Sequence, residues 1–177
     1  MAEEQADQSK VYPANAVHLL RTTQLAQMQL SAMADTKASI LMGATFVIFT
    51  ITIGQARNGG APLPLLILGG AAFFSAIFAV LSVLPKTGNP KRSGQSNLLF
   101  FGVFTQMDED AFIDEIIARV RTEDSIYRTM ARDIYQNGQV LQNKKYRMLA
   151  IAYQVFLVGL VASCAAYVVQ HFLLTGK

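Results

Sequence analysis

Basic and aromatic side chains alternate along one stretch of this chain, and together they are suited to binding a small anionic ligand. The set consists of Arg119, Arg121, Arg128, Arg132, Lys144 and Lys145, interleaved with Tyr127, Tyr135 and Tyr146. Guanidinium groups form charge-assisted hydrogen bonds with phosphate, and a phenol ring offers a face on which a base can stack. Arg128 and Arg132 are one helical turn apart and would share a face of a helix. We therefore predict a nucleotide site at Arg128 and Arg132 with Tyr127 or Tyr135; the alternative is an ordinary solvated helix whose long side chains lie near a membrane.

Asp35 is the second candidate, because it stands just before a long apolar stretch. A carboxylate at a membrane boundary is costly unless it is paired. Lys145 and its basic neighbours precede another such stretch, so they should lie at nearly the same depth as Asp35. We predict an ion pair between Asp35 and Lys145 that has a structural or gating role, and a direct ligand contact is the alternative.

No catalytic constellation is evident in the sequence. The two histidines, His18 and His171, are far apart, and no Cys/His metal spacing, P-loop or Gly-rich dinucleotide turn is present. The carboxylates cluster where helices should start, which is typical of solvated helix ends. We expect a protein that is not an enzyme and that uses no cofactor, metal or nucleic acid.

Three long apolar stretches must position these candidates: Ala38 to Ile53, Leu63 to Leu84 and Met148 to Leu174. None contains Asp, Glu, Lys or Arg, although charged residues make up 15% of the 177 residues. A helix needs about 20 apolar residues to cross the hydrocarbon core of a bilayer. Because lipid offers the backbone no hydrogen-bond partner, each stretch should be a closed helix. The predicted fold class is an all-α integral membrane protein with three transmembrane helices and a cytoplasmic helical region.

Charge predicts how the chain is arranged across the membrane. All 12 acidic residues and all of the 15 basic residues except Arg57 and Lys177 lie before the first span or between the second and third. Lys and Arg near span ends favour the cytoplasmic side. We therefore place the N-terminus inside and the C-terminus outside a bacterial inner membrane. The predicted parts are a cytoplasmic N-terminal helix (1–37), a span (38–54), an outer loop (55–62), a span (63–84), a cytoplasmic helical region (85–147) and a span (148–174).

Two cytoplasmic helices should continue into spans. Neither Gly nor Pro interrupts the chain from Ala14 to Lys37, so one helix is expected from about Ala14 to about Gly54, with an apolar face at Leu19, Thr23, Ala26, Leu30 and Met33. A second helix, with Thr122 as its N-cap, should carry an apolar stripe at Ile126, Tyr127, Met130, Ile134 and Leu141 and run on into the third span.

Small residues recur four apart in two of the spans. These rows are Ala71, Ser75 and Ala79 in the second span, and Gly159 with Ser163 and Ala162 with Ala166 in the third. Small residues at this spacing let helices approach closely in lipid, either within one copy of the chain or between copies around an opening. Because three helices enclose no obvious polar path alone, we expect a homo-oligomer.

The order of four short motifs resembles a known family. Ala34-Asp35-Thr36-Lys37-Ala38-Ser39 leads into the first span, and Phe100-Phe101-Gly102 precedes an acidic helix start. Ile134-Tyr135-Gln136-Asn137 follows, and Lys145-Tyr146-Arg147 leads into the last span. From about Val17 to about Val161 the chain is similar to the transmembrane effector family of Pycsar anti-phage defence (PycTM).

The resemblance implies a function that composition and spacing do not. It implies that a separate cyclase makes cyclic CMP or cyclic UMP during infection, and that this chain responds by impairing the inner membrane and aborting the infection. Its partners would be that nucleotide, membrane lipid and further copies of itself. The alternative is a small membrane scaffold or transport subunit without nucleotide control, and a membrane enzyme is the remaining possibility.

Overall fold

The computed structural model of the protein describes residues 12, 13, 15–84 and 97–175. Its elements are α1 (Ala16–Arg57), α2 (Leu63–Val83), α3 (Phe101–Phe104), α4 (Glu109–Arg119), α5 (Glu123–Val140), a π-helical segment (Leu141–Tyr146) and α6 (Arg147–Thr175). No strand occurs among the described residues, so the predicted all-α class is confirmed. Residues 85–96 of the predicted cytoplasmic region lie outside the described residues, as does Lys177.

Three helices are long and apolar enough to cross a membrane. They are α1, α2 and the continuous helix that includes α5, the π-helical segment and α6. The uninterrupted first helix predicted from Ala14 to Gly54 is observed as Ala16–Arg57. It ends where Gly59 and Gly60 adopt positive φ angles of 103° and 147°, which few other residues tolerate. Pro64 lies in the first turn of α2, where a missing N–H costs no hydrogen bond.

The chain divides into two compact units. The first unit comprises Met1–Gln29 and Lys86–Val140, and the second comprises Leu30–Pro85 and Leu141–Lys177. The residues of α1 are therefore shared between the units, with the division after Gln29. The first unit holds α3, α4 and α5, and the second holds α2, the π-helical segment and α6.

The second unit is a bundle of three helices with a core of small residues. Ala34 and Ala38 of α1 pack with Leu149 of α6, and further along Leu41 packs with Ala79 and Ala152. A Cβ atom at Gly159 of α6 would overlap the Cβ of Ala71 on α2. These two helices therefore approach as closely as their small residues allow, and such close packing is the main attraction between helices in lipid.

The small-residue rows fall mainly inside this bundle. Ser75 and Ala79 are fully buried, and Ser163 is 8% exposed. Their positions favour packing within one copy of the chain over packing between copies for these residues. Ala162, in contrast, is exposed on the outside of α6.

In the first unit, Tyr12 packs against the start of α5, and α3 packs against α4. Tyr12 lies edge-on to Tyr127 with ring centroids 4.5 Å apart, and Phe104 packs against Phe112 at 5.3 Å. Ser125 donates its backbone N–H to Thr122 Oγ1 at 3.2 Å, so the predicted N-cap of α5 is observed.

The structure departs from the expectations for two of the helices. The row chosen on α1 is largely exposed, with Leu19 at 70% and Met33 at 45%. The half-buried and buried face of α1 instead runs through Gln24, Gln27, Ser31, Ala34 and Ala38. Amides and a hydroxyl occupy part of this face because partners in each unit satisfy their hydrogen bonds, and a hydrophobic pattern cannot predict such partners.

The second correction concerns the helix that runs into the third span. It is continuous, but residues Leu141–Tyr146 adopt a π-helix rather than an α-helix. A π-helix has a wider turn, so consecutive side chains diverge less in direction. Lys144, Lys145 and Tyr146 follow one another there, and all three donate hydrogen bonds to α1 or to the end of α2.

Candidate functional site

The predicted charge pair is present in the second unit. Lys145 Nζ lies 2.8 and 2.9 Å from the two carboxylate oxygens of Asp35, and it also donates to Ser31 Oγ at 2.7 Å. The Lys145 side chain is 23% exposed and that of Asp35 is 43% exposed. All three ammonium hydrogens of Lys145 can therefore be used on α1, which fixes the start of α6 against that helix.

Two neighbours of Lys145 make further contacts at this level. The phenol of Tyr146 donates to the carbonyl of Leu30 at 3.2 Å, and Lys144 Nζ donates to the carbonyl of Leu84, just past the end of α2. The Leu84 carbonyl is one of those that a helix end leaves without an intrahelical partner. The π-helical segment thus holds α1 and α2 together through polar contacts. The gating role of the Asp35–Lys145 pair stays a prediction.

The predicted nucleotide residues lie on α5 in the first unit. Arg128, Arg132 and Tyr135 are spaced by four and three residues, so they share one face of the helix. Tyr135 is 67% exposed and the Arg128 side chain is 70% exposed. Tyr127 is set about 100° away from Arg128 around the helix axis. Its ring packs against Tyr12. The structure therefore brings three of the four predicted residues onto one accessible face and places Tyr127 beside it.

Asp124 connects this face to the N-terminal segment. Its Oδ2 accepts a hydrogen bond from Arg128 Nε at 2.5 Å, and its Oδ1 accepts one from the Tyr12 hydroxyl at 2.6 Å. The hydrogen bond to Asp124 raises the pKa of the Tyr12 phenol and raises the pKa of the Arg128 guanidinium. Arg128 is therefore a permanent cation that already has a carboxylate partner, and any anionic ligand at this position would have to compete with that partner.

The other side of α5 carries a buried polar network that the sequence did not reveal. Asp133 is only 7% exposed, and it accepts hydrogen bonds from Asn97 Nδ2 at 2.6 Å, Asn137 Nδ2 at 2.8 Å and Gln24 Nε2 at 2.9 Å. A buried carboxylate is tolerated when several donors satisfy its oxygens. One feature of the sequence pointed to the burial of Asp133: it lies three residues after Met130, on the side of the helix that carries the predicted apolar stripe.

A glutamine of α1 reaches the backbone of the same helix. Gln27 Nε2 donates to the carbonyl of Ile134 at 2.9 Å, and a Cβ atom at Gly138 would come within 3.2 Å of that nitrogen. Asn97 is held in place as well, since its Oδ1 accepts the Leu99 N–H at 3.0 Å. These contacts fix the inner side of α5, so the cations and the phenol on its outer side are presented from a firmly held helix.

The described residues contain no group of three His, Cys, Asp or Glu side chains that could hold a metal ion. The structure has two other notable features. One is the exposed face of α5, whose arginines and phenol suit an anion with an aromatic group. The other is the set of polar contacts that the π-helical segment makes with α1 and the end of α2. This combination defines a multi-pass membrane protein that also carries a compact helical unit.

Comparison with known families then identifies the group of proteins. A sequence model of the PycTM family, described as the Pycsar effector protein domain, matches residues 18–170. The chain therefore belongs to the PycTM family, and the resemblance predicted from the four motifs is confirmed. Comparison with curated proteins and with solved structures gives no match.

Proposed function

We propose that this chain is the membrane effector of a Pycsar anti-phage system, activated by a cyclic pyrimidine mononucleotide and acting on the inner membrane. The observation that carries the proposal is the PycTM match over residues 18–170, which covers nearly all of the three candidate spans and the exposed face of α5. A separate cyclase would supply cyclic CMP or cyclic UMP. The effector itself performs no reaction in this proposal.

The nucleotide binds to the exposed face of α5. Arg128 and Arg132 bind the single negative charge of the cyclic phosphate through charge-assisted hydrogen bonds. Tyr135 is the better stacking partner for the base, because it is 67% exposed and lies on the same face. Tyr127 has a supporting role, since its ring packs against Tyr12.

Affinity depends on using these groups together. Immobilising a ligand costs at least about 4 kcal/mol, so one arginine alone would bind only weakly. The phosphate must also displace the Asp124 carboxylate from Arg128, or bind Arg128 alongside it. Asp124 Oδ2 accepts a hydrogen bond from Arg128 Nε at 2.5 Å. Two arginines and a stacking face are therefore the smallest set that we expect to reach micromolar affinity.

The binding face and the site of action lie on one continuous helix. The helix passes from α5 through the π-helical segment into α6. We propose that the Asp35–Lys145 pair holds the resting state and that nucleotide binding on α5 opens it. Part of the support for this step is that Lys145 stands within the segment that joins the binding helix to the spanning helix, while its partner Asp35 lies on α1.

Membrane impairment in this proposal requires several copies of the chain. The hydroxyls of Thr45, Ser75, Ser82 and Ser163 are buried in the second unit and all donate to backbone carbonyls. Among the described residues, no buried side-chain N or O atom lacks a hydrogen-bond partner. A bundle whose interior is satisfied in this way offers ions no polar path, so an opening has to form between copies.

Calorimetry on the detergent-solubilised full chain tests the binding step. Cyclic CMP or cyclic UMP should bind, and an Arg128→Ala, Arg132→Ala double variant should lose at least tenfold in affinity, since a hydrogen bond to a charged group contributes roughly 1.5–3 kcal/mol. An Arg119→Ala, Arg121→Ala variant removes the same charge from the end of α4 and its following turn and should bind normally. Equal affinity for the wild type and the α5 double variant would place the site elsewhere.

A further inference from the structure

One amide far from the helix ends, on the outside of the bundle, has no partner within the described residues. Gln154 is exposed on α6 and makes no hydrogen bond to any described residue. Two exposed hydroxyls in the first span behave differently. Thr50 donates to the carbonyl of Phe46 at 2.8 Å, and Ser39 donates to that of Asp35 at 2.9 Å. A hydroxyl can satisfy itself on its own helix, whereas the glutamine amide has two donors and an acceptor to place.

The level of Gln154 follows from the contacts between α2 and α6. Ser163 Oγ donates to the carbonyl of Pro64 at 2.7 Å, and Ser75 Oγ donates to that of Ala152 at 2.8 Å. The two helices therefore run antiparallel, with Gln154 close to the level of Phe73 in the middle of α2. Since α2 has 21 residues, its length of about 31 Å only just covers the hydrocarbon core. Gln154 consequently lies near the midplane, far from either headgroup region.

The face of α6 around Gln154 points away from the bundle. Gly159 and Ser163, which pack inside, lie on the opposite side of the helix. Val158 is 68% exposed, Val161 is 61% exposed and Leu157 is 59% exposed. Together with Gln154 and Ala165 they form what we call the Gln154 face, an outward stripe of apolar residues with one amide.

We propose that the Gln154 face is the contact between two copies of this chain, with the Gln154 amides hydrogen-bonded to each other. Lipid tails offer no acceptor or donor at this depth, so the amide needs a protein partner. A second copy meets this need without any further residue, because an amide both donates and accepts and is thus complementary to itself across a two-fold axis. This inference rests on the proposed oligomeric effector and names the surface that such an oligomer would use.

Cysteine cross-linking in membranes tests the contact. Cys164 is exposed, so it is first replaced in a Cys164→Ala background. Val158→Cys should then form a covalent dimer on oxidation. Val47→Cys on α1 is the matched control, because Val47 is 57% exposed and the packing of Leu41 with Ala152 puts it at nearly the level of Val158. Equal cross-linking from the two positions, or none from Val158→Cys, would overturn the proposal.

Gln154→Leu tests the role of the amide itself. It should weaken association on the order of tenfold, and Gln154→Asn should restore part of it. Association of Gln154→Leu that matches the wild type would contradict the proposed hydrogen bond. Because the substitution removes a polar group from a lipid-facing position, the monomer should keep its helicity and thermal stability. Both measurements are made without nucleotide. A negative result would therefore reject the Gln154 contact but not nucleotide binding, which calorimetry tests separately. Conversely, a variant that no longer binds nucleotide should still form the cross-link.

Discussion

Asp124 sets the state of the proposed phosphate site at the scale of single residues. Its carboxylate joins the Tyr12 hydroxyl and the Arg128 guanidinium, so it lowers the net positive charge that a phosphate would meet on α5. The ion pair between Arg128 and Asp124 is exposed, with side chains 70% and 42% accessible, so solvent screens the attraction between the two charges. A phosphate with two arginines and a stacked base is therefore expected to displace it.

Replacing this carboxylate should strengthen nucleotide binding. Asp124→Asn removes a negative charge next to Arg128, and calorimetry should show an affinity for cyclic CMP or cyclic UMP higher by about two- to fivefold, the range set by an exposed pair. Glu115→Gln is the matched control, since Glu115 forms an i,i+4 pair with Arg119 at 2.9 Å on α4. Weaker binding in Asp124→Asn than in Glu115→Gln would mean that Asp124 orients Arg128 rather than competing for it.

The Asp35–Lys145 pair gives the second prediction at this scale. Asp35→Ala leaves Lys145 with only its Ser31 contact, so we expect a change in basal toxicity or in thermal stability. The Asp35 side chain is 43% exposed, so the loss should be nearer about 1 kcal/mol than the larger cost of a fully buried pair. The charge swap Asp35→Lys with Lys145→Asp should restore part of the wild-type behaviour. Lys37→Ala, which removes a nearby charge outside this pair, is the control, and an Asp35→Ala variant that matches it in both assays would leave the pair without a gating role.

Gly159 gives a prediction at the scale of the elements, because it sets the distance between α2 and α6. Gly159→Ala should lower the thermal stability, since the new methyl group overlaps Ala71 and overpacking costs roughly 1–3 kcal/mol. Gly43 on α1 has open space around its Cβ position, so Gly43→Ala should keep or raise stability through helix propensity. Thermal unfolding in detergent followed by circular dichroism distinguishes the two. Equal melting temperatures for both variants would contradict the close approach.

The sequence predicted the elements better than their contacts. Uncharged apolar runs and the lack of Gly or Pro predicted three spans and the length of α1, because lipid leaves a buried backbone few alternatives. The network around Asp133 escaped prediction, since its donors Gln24, Asn97 and Asn137 are distant in sequence and meet only in the folded unit. The π-helical segment escaped it too, because no residue type marks a π-turn as Gly or Pro marks a break.

The candidate site was also predictable only in part, because a sequence pattern shows spacing along a helix but not contacts between distant segments. The spacing of Arg128 and Arg132 predicts a shared face once the helix is assumed, and Asp35 and Lys145 were matched by their distance from span ends. The pairing of Tyr127 with Tyr12, and the carboxylate of Asp124 beside Arg128, depend on how the N-terminal segment packs. No periodicity along one helix contains that information.

The distribution of charge along the chain predicts the orientation of the whole molecule in the membrane. We expect the N-terminus and residues 85–147 in the cytoplasm and the C-terminus outside, because nearly all Lys and Arg residues lie in those two parts. Alkaline phosphatase fused to the C-terminus should be active, and a fluorescent protein fused there should stay dark. The reverse pair of results would put the proposed nucleotide face on the wrong side of the membrane for a cytoplasmic cyclase.

The membrane potential of living cells tests the central claim most directly. Cells that express this chain should keep their potential when no cyclic nucleotide is made, and should depolarise when a cyclase producing cyclic CMP or cyclic UMP is expressed with it. A catalytically inactive cyclase is the control for expression. Cells that express the Arg128→Ala, Arg132→Ala variant together with the active cyclase should keep their membrane potential. An unchanged potential in cells that contain both the chain and either nucleotide would contradict the account and favour a scaffold or transport subunit without nucleotide control.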